Sequence, residues 1–275
     1  MEKVLEFKQH LVRLGYGKSS IGMLPNCLKE FLEFTPKSLE TITQNDIQNY
    51  YEYLQERPNK RRPGGLSEMM INHHIFALKL FFNYQLEMGN ILENPISGMK
   101  FKTPYSKPRE ILTFLEIEQL YSVAKTYKER LVLSLFYGCG LRRSEGEKLD
   151  IGDVSLRKQI LYVRSGKGGK RRAVPMSESV KKDIENYLEK ERFGSMETAL
   201  VLNRLGNRML GQSYNLLLKS LLVRAEITKE ITLHCLRHSI ATHLLESGLS
   251  IEKVRDFLGH KNLESTQIYT RLKLD

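Results

Sequence analysis

The chain has 275 residues, of which 41% are hydrophobic and 27% are charged, a globular balance that excludes a wholly disordered chain. No apolar run can span a bilayer, no secretory signal is visible, and the three cysteines form no disulfide or zinc pattern, so a cytoplasmic protein is expected. Residues 1–100 hold 12 basic and 11 acidic residues, so nearly all of the net charge of +11 belongs to residues 101–275. This excess suits nucleic acid as a partner, and it would also suit an anionic membrane surface.

Residues 1–95 are predicted to form a helical domain of four helices separated by turns. The first helix ends at the glycines around residue 16, and the second is expected to begin near Met23 because Pro25 is tolerated only in a first turn. Thr43 is expected to cap the third helix. A basic loop with several helix breakers follows at residues 57–65, and Ser67 then opens a long amphipathic fourth helix.

Residues 96–110 are predicted to be a basic linker, because prolines and a glycine interrupt any helix there. An extended basic connector could follow a phosphate backbone, and a merely solvated hinge is the alternative. A second domain is predicted at residues 111–275. It opens with a capping box formed by Thr113 and Glu116, contains one β-hairpin at residues 159–175, and is helical elsewhere.

The hairpin combines three glycines at its turn with five positive charges and no negative charge within nine residues. Its basic residues are Arg164, Lys167, Lys170, Arg171 and Arg172. Glycines leave the turn free to approach a groove or a phosphate closely, with Lys167 at the tip. Alternatively, these charges protect the edge of a sheet from aggregation.

A guanidinium group is predicted inside the core of a later helix, because Arg237 falls within the apolar arc of residues 236–245. Such a group is costly unless something anionic meets it. His234, one turn earlier, would complete an anion site with Arg237. A buried pair with a carboxylate is the alternative.

Two further features are weak when taken alone. Arg142 and Glu145 are then interpreted as a local i,i+3 ion pair, and Tyr269 as a packed aromatic residue.

Five segments, in this order, resemble the tyrosine recombinase (phage integrase) family, with the XerC/XerD type nearest in style. They are residues 140–145 (GLRRSE), 166–168 (GKG), 234–248 (HCLRHSIATHLLESG), 258–260 (LGH) and 269–270 (YT). The resemblance implies a mainly α fold with a small antiparallel β-sheet. It further implies a helical, SAM-like core-DNA-binding domain followed by a DNA breaking-rejoining catalytic domain.

The resemblance implies a site-specific recombinase that cleaves and rejoins double-stranded DNA through a covalent 3′-phosphotyrosine, without a metal or other cofactor. The expected assembly is a homotetramer or heterotetramer on paired DNA sites. The residues that would surround the scissile phosphate are Arg142, Lys167, His234, Arg237 and His260, with Tyr269 as the nucleophile. Glu145 is expected to orient one of these groups, and His238 is expected to contact them without contacting the phosphate itself.

Physical chemistry agrees with these roles. Displacement at a phosphodiester spreads negative charge onto the non-bridging oxygens, which the forks of Arg142 and Arg237 would hold, with a further hydrogen bond from His260. A tyrosyl hydroxyl with a pKa of about 10 is a weak nucleophile at neutral pH. The arginines would favour its phenolate, and His234 could accept its proton. Lys167 could protonate the leaving 5′ oxygen.

The chain departs from the family pattern at two places. Gly146 stands where members usually carry a bulky apolar residue, so the helix there is expected to be loose. Only six residues follow Tyr269, which puts the usual exchange of C-terminal tails between subunits in doubt. The remaining alternatives are a catalytically inactive DNA-binding relative and a type IB topoisomerase-like relaxing enzyme. A metal-dependent nuclease is disfavoured because no acidic cluster accompanies the motifs.

Overall fold

The computed structural model of the chain describes residues 1–60, 62–103, 110–164, 171–192 and 194–259. It divides into two compact units, with the boundary between residues 107 and 108. As predicted, the fold is mainly helical with a small antiparallel β-sheet. Within the described ranges no helix is both long enough and apolar enough to cross a membrane.

The first unit consists of four helices around an aromatic core. Their bounds are α1 Glu2–Arg13, α2 Lys18–Phe34, α3 Gln44–Glu56 and α4 Glu68–Glu87. Thr43 accepts a hydrogen bond from the Asp46 backbone N–H and Ser67 one from that of Met70, which confirms both predicted caps. Fully buried rings from all four helices meet in the core, among them Phe7, Phe31, Tyr50, Phe81 and Phe82. Residues 96–101 also pack on this unit through Ile96, Met99 and Phe101.

The prediction for the start of α2 was wrong. The helix begins at Lys18, and Pro25 lies in its interior although proline lacks the N–H of a helical hydrogen bond. Two contacts accompany the proline, although the carbonyl that loses its helical donor is that of Ile21, four residues earlier. The side-chain amide of Asn26 donates to the carbonyl of Gly22 at 2.7 Å, and Pro25 itself is buried in the core together with Leu28. Tertiary packing therefore outweighs the local preference, as it commonly does for helices.

Among its described residues the second unit has seven α-helices and a three-stranded sheet. The helices are α5 Phe114–Ser122, α6 Tyr127–Leu133, α7 Arg143–Gly146, α8 Glu178–Lys190, α9 Gly211–Arg224, α10 Leu233–Glu246 and α11 Ile251–Leu258. The strands are β1 Val154–Ser155, β2 Ile160–Arg164 and β3 Arg171–Pro175, antiparallel and in sequence order. The capping box of Thr113 and Glu116 is confirmed. Strand β1 was not predicted, because two residues are too short to show an alternating pattern.

The expectation of a loose helix at Gly146 was also wrong. A turn of π-helix, Ser134–Gly138, follows α6 and brings the buried ring of Phe136 beside Gly146. A Cβ atom at residue 146 would lie 2.6 Å from Cζ of Phe136, far inside van der Waals contact. The ring occupies the space that a larger side chain at residue 146 would need, so the local packing is complete without one.

Candidate active site

Arg142 and Glu145 form the first part of the candidate site. Arg142 is the residue before α7, and Glu145 lies in the first turn of that helix. The Glu145 carboxylate accepts the Arg142 backbone N–H at 2.7 Å and its Nη1 at 2.8 Å. The acid therefore caps the helix and holds the guanidinium group of the residue that begins it. Glu145 is buried, and Arg142 is partly exposed.

Arg237 on α10 forms the second part and is 1% exposed. Its Nη1 donates to the carbonyl of Gly140, and its Nη2 donates to the carbonyl of Leu258 at 2.7 Å. Glu145 Oε2 lies 3.8 Å from Nη1, at ion-pair range. The structure therefore shows the carboxylate pairing that was the alternative at this position, and the anion site with His234 stays a prediction.

A third guanidinium group comes from Arg172 on β3. Its Nη2 donates to Glu145 Oε2 at 2.7 Å, and its Nη1 donates to the carbonyl of Phe257 at 2.7 Å. This changes the interpretation of the basic hairpin. Arg164 likewise pairs with acids distant in sequence, Asp150 and Asp153. At least two of the five positive charges are therefore balanced within the protein.

The three arginines converge on the C-terminal end of α11. Arg172, Arg237 and Arg142 donate, in that order, to the consecutive carbonyls of residues 257, 258 and 259, at 2.7, 2.7 and 3.2 Å. The C-terminal end of a helix carries a partial negative charge and unpaired carbonyls, so cations are stabilised there. Gly259 caps the helix in the left-handed conformation, with a φ angle of 65°, as predicted for the residue that ends it.

His234 and His238 lie one turn apart on α10. Their rings meet edge to face, with centroids 4.6 Å apart. His234 is exposed and His238 is buried, an arrangement in which the first can reach a ligand and the second can support it. The helix that carries them is anchored by Ser239, whose hydroxyl accepts the backbone N–H of Leu112 at 2.8 Å.

The electrostatics of the cluster follow from these contacts. Burial alone would raise the pKa of Glu145, but Arg172 foremost and also Arg142 oppose burial and hold that pKa below its usual value. Glu145 is therefore ionised at neutral pH. The described cluster then carries three guanidinium charges and one carboxylate charge, a formal net charge of +2. Such a cluster is suited to binding a phosphodiester.

Three of the predicted site residues, Lys167, His260 and Tyr269, lie outside the described residues. The structure brings the others, Arg142, Glu145 and Arg237, together in one cluster and places His234 and His238 on the helix that carries Arg237. Among the described residues no group of three His, Cys, Asp or Glu side chains is arranged to hold a metal ion.

Sequence reasoning missed the role of Arg172, although a signal for it existed. Arg172 lies opposite Val163 on the neighbouring strand β2. Val174, two residues further along β3, points to the same face of the sheet as Arg172. Both valines are buried, at 1% and 0% exposure, so strand alternation directs Arg172 towards the core. A cation on an inward-facing position should have prompted a search for a buried acid.

Comparison with known proteins matches residues 110–274 to the phage integrase family. Along nearly the whole chain, 97%, the sequence is 35% identical to tyrosine recombinase XerA of Pyrococcus horikoshii, and the match covers 88% of that protein. Tyrosine recombinase XerD of Oceanobacillus iheyensis is 28% identical over 99% of this chain and 94% of its own. Among solved structures, the Tn1549 transposon integrase in complex with circular intermediate DNA has a TM-score of 0.76 at 20% identity, covering 99% of both chains.

Proposed function

Because the chain belongs to the phage integrase family and is a site-specific tyrosine recombinase of the XerC/XerD type, we propose that its cluster of arginines binds the scissile phosphate of DNA. The enzyme cleaves and rejoins DNA through a covalent 3′-phosphotyrosine. The proposal concerns which side chains perform these steps. The observation that carries it is the convergence of Arg142 and Arg237 on Glu145, in a buried and positively charged cluster.

Arg142 and Arg237 supply the stabilisation of the transition state. As the nucleophile approaches phosphorus, negative charge grows on the two non-bridging oxygens, and two planar forks can each donate more than one hydrogen bond to them. Glu145 keeps Arg142 in place by two hydrogen bonds, so its orientation is set before DNA arrives. Preorganised donors of this kind are commonly the largest contribution to catalysis of such reactions.

Tyr269 is the nucleophile and Lys167 the general acid. The phenolic oxygen of Tyr269 forms a bond to phosphorus, the bond from phosphorus to the 5′ oxygen breaks, and Lys167 gives a proton to that leaving oxygen. The exposed His234 accepts the phenolic proton, and His260 donates a further hydrogen bond to a non-bridging oxygen. Attack by a 5′ hydroxyl on the phosphotyrosine reverses these steps, so DNA is rejoined without a nucleoside triphosphate.

Double-stranded DNA is the substrate, and we assign the helical first unit to core DNA binding and the second unit to catalysis. Two facts support DNA as the substrate. Nearly all of the net positive charge belongs to residues 101–275, and the Tn1549 integrase, whose fold resembles that of this chain over its whole length, was solved in complex with DNA. A homotetramer or heterotetramer on paired sites would allow two duplexes to exchange strands.

Covalent trapping tests the proposal. Nicked duplexes with candidate sites lose a short strand after cleavage, so the phosphotyrosine accumulates and appears as a slower, protease-sensitive band on a denaturing gel. We expect Arg237→Ala to reduce this band by roughly 10²–10³-fold. Arg224→Ala is the matched control, because Arg224 pairs with Glu129 away from the cluster. Equal adduct formation by both variants would remove Arg237 from the active site.

A further inference from the structure

Arg172 links three segments of the candidate active site. It lies on β3, five residues after Lys167 in the sequence, and its side chain is only 13% exposed. One arm of its fork binds Glu145, and the other binds the carbonyl of Phe257, three residues before His260. Both arms of this fork bind atoms of the protein itself, a carboxylate and a carbonyl, so its function is sought inside the cluster.

We infer that Arg172 is a positioning residue that neutralises Glu145 and thereby leaves Arg142 and Arg237 available for the scissile phosphate. The inference rests on the proposed function. It deepens that proposal by naming a residue that acts on the phosphate-binding arginines rather than on the phosphate.

Arg172 and Arg237 compete for one oxygen atom of Glu145. Glu145 Oε2 accepts Arg172 Nη2 at 2.7 Å, while Arg237 Nη1 lies only 3.8 Å from the same oxygen. Arg142 holds the other carboxylate oxygen through its Nη1 at 2.8 Å, and Arg237 lies within ion-pair range of Oε2 when Arg172 loses its charge. A buried carboxylate oxygen that has lost its guanidinium donor attracts the nearby cation more strongly, so Arg237 is drawn towards Glu145. Its fork then turns away from the position in which it meets the phosphate.

Charge leads to the same conclusion. With Arg172 the described cluster has a formal net charge of +2, and without it the net charge is +1. The scissile phosphodiester begins with one negative charge and develops more as the nucleophile adds. Loss of one charge from the cluster therefore weakens binding of the transition state more than binding of the ground state, which lowers the rate of cleavage rather than the affinity for DNA.

The fork of Arg172 also fixes the end of α11. A Cβ atom at residue 259 would collide with the Arg172 side chain, so only a glycine allows the two to approach this closely. A lysine at residue 172 would keep the charge beside Glu145, but a single ammonium group cannot reproduce the planar fork that joins the carboxylate to the Phe257 carbonyl. The two tasks of Arg172 can therefore be separated by substitution.

The experiment uses the full chain and nicked duplex substrates at saturating protein, and it measures the single-turnover rate of covalent adduct formation. We expect Arg172→Met to bind DNA as tightly as the wild type and to cleave roughly 10²-fold more slowly. Arg172→Lys is expected to lose only about tenfold, because it retains the neutralising charge. Arg164→Met is the matched control and should stay within about twofold, since Arg164 is half-exposed and pairs with aspartates instead of Glu145.

The decisive variant is the double substitution Arg172→Met with Glu145→Gln. If the charge of the carboxylate is what withdraws Arg237, Glu145→Gln removes that attraction while its amide oxygen can still accept from Arg142, so the rate should rise about tenfold above that of Arg172→Met alone. A double variant no faster than the single one would overturn the inference, and so would Arg172→Lys being as slow as Arg172→Met. Thermal unfolding of each variant identifies loss of fold, in which case Arg172→Lys decides alone.

The result separates the inference from the function on which it rests. A wild-type chain that forms no adduct on any candidate duplex contradicts the proposed function. A wild-type chain that forms the adduct, together with an Arg172→Met variant that forms it equally fast, contradicts only the role of Arg172.

Discussion

Arg142 is bound twice by Glu145, once through its backbone N–H and once through its guanidinium group, at 2.7 and 2.8 Å. The same carboxylate therefore caps α7 and orients the side chain of Arg142, the residue before that helix. Backbone and side chain of Arg142 cannot shift independently, because both are held by one acid. This coupling gives the position little tolerance for a residue of different shape.

Arg142→Lys should therefore reduce cleavage strongly although the charge is kept. We expect a loss of roughly 10²–10³-fold in the rate of adduct formation, because a single ammonium group cannot hold Glu145 and a phosphate oxygen in the geometry of the fork. Binding to DNA should be little affected. Arg143→Lys is the control, since Arg143 is exposed and its ion pair is with Glu147, at 3.6 Å. Equal rates for the two variants would contradict the role of Arg142.

Tyr269→Phe should bind DNA normally and form no covalent adduct. The substitution keeps the aromatic ring and removes only the hydroxyl that would attack phosphorus, so the effect on the fold should be small. Denaturing gels of nicked duplexes measure the adduct, and mobility shift measures binding. An undiminished adduct would assign the nucleophile to another residue.

Lys167→Ala should bind nearly as well as the wild type but cleave roughly 10²–10⁴-fold more slowly, if the lysine is the general acid. Replacing the 5′ bridging oxygen with sulfur removes the need for a proton, because a thiolate leaves unaided. The variant should then recover towards the wild-type rate, while Arg142→Ala and Arg237→Ala should recover much less. If Lys167→Ala gains no more than they do, the proton donor is a different group, with Lys170 the next candidate.

The first unit should lose stability in mildly acidic solution because of His74. Burial, and secondarily the charge of Arg57, lowers the pKa of His74 from 6.5 to about 4. Between pH 6.5 and pH 4, His74 is protonated in the unfolded chain but stays neutral in the folded chain. The free energy of unfolding therefore falls as the pH drops from 6.5 towards 4. The expected loss is up to roughly 3 kcal/mol.

Urea unfolding of the full chain at several pH values measures this effect. His74→Gln retains an acceptor for the Tyr50 hydroxyl, which lies 2.9 Å from Nδ1 of His74, and it should flatten the dependence on pH. His73→Gln controls for removal of an imidazole from the same helix. An unchanged slope in His74→Gln would show that another group causes the acid sensitivity.

Gly146→Ala should destabilise the second unit by about 1–3 kcal/mol, because the added Cβ meets the ring of Phe136. The sign of this change in stability is informative, because replacing glycine with alanine in a helix normally stabilises the protein. Phe136→Leu in the same chain should recover part of the loss, and Gly152→Ala, which would meet nothing within 4 Å, should show no comparable loss. Additive effects at residues 136 and 146 would contradict direct contact.

Much of the fold was predictable because its signals are local. The caps at Thr43, Ser67 and Thr113 and the end of α11 at Gly259 follow from residue types within one turn of each helix boundary. Arg142 entered the predicted site through the resemblance to the family. Arg237 in particular drew attention by lying in an apolar arc.

What could not be predicted depends on contacts distant in sequence. Glu145 finds Arg172 across 27 positions, and no local pattern says which acid an inward-facing arginine will meet. Pro25 inside α2 and the fit between Phe136 and Gly146 are likewise decided by packing partners that a linear reading does not show. In each case a tertiary contact overrode a local preference.

The contact between Phe136 and Gly146 has an evolutionary consequence. Neither residue can change in size alone without either a clash or a void, so natural variation should alter the two together. Relatives with a bulky apolar residue at the position of Gly146 are expected to carry a smaller or displaced side chain at that of Phe136. An alignment of the family should therefore show that these two positions covary. Some lineages should carry the small residue at the position of Gly146 with a large ring at that of Phe136, and others the reverse.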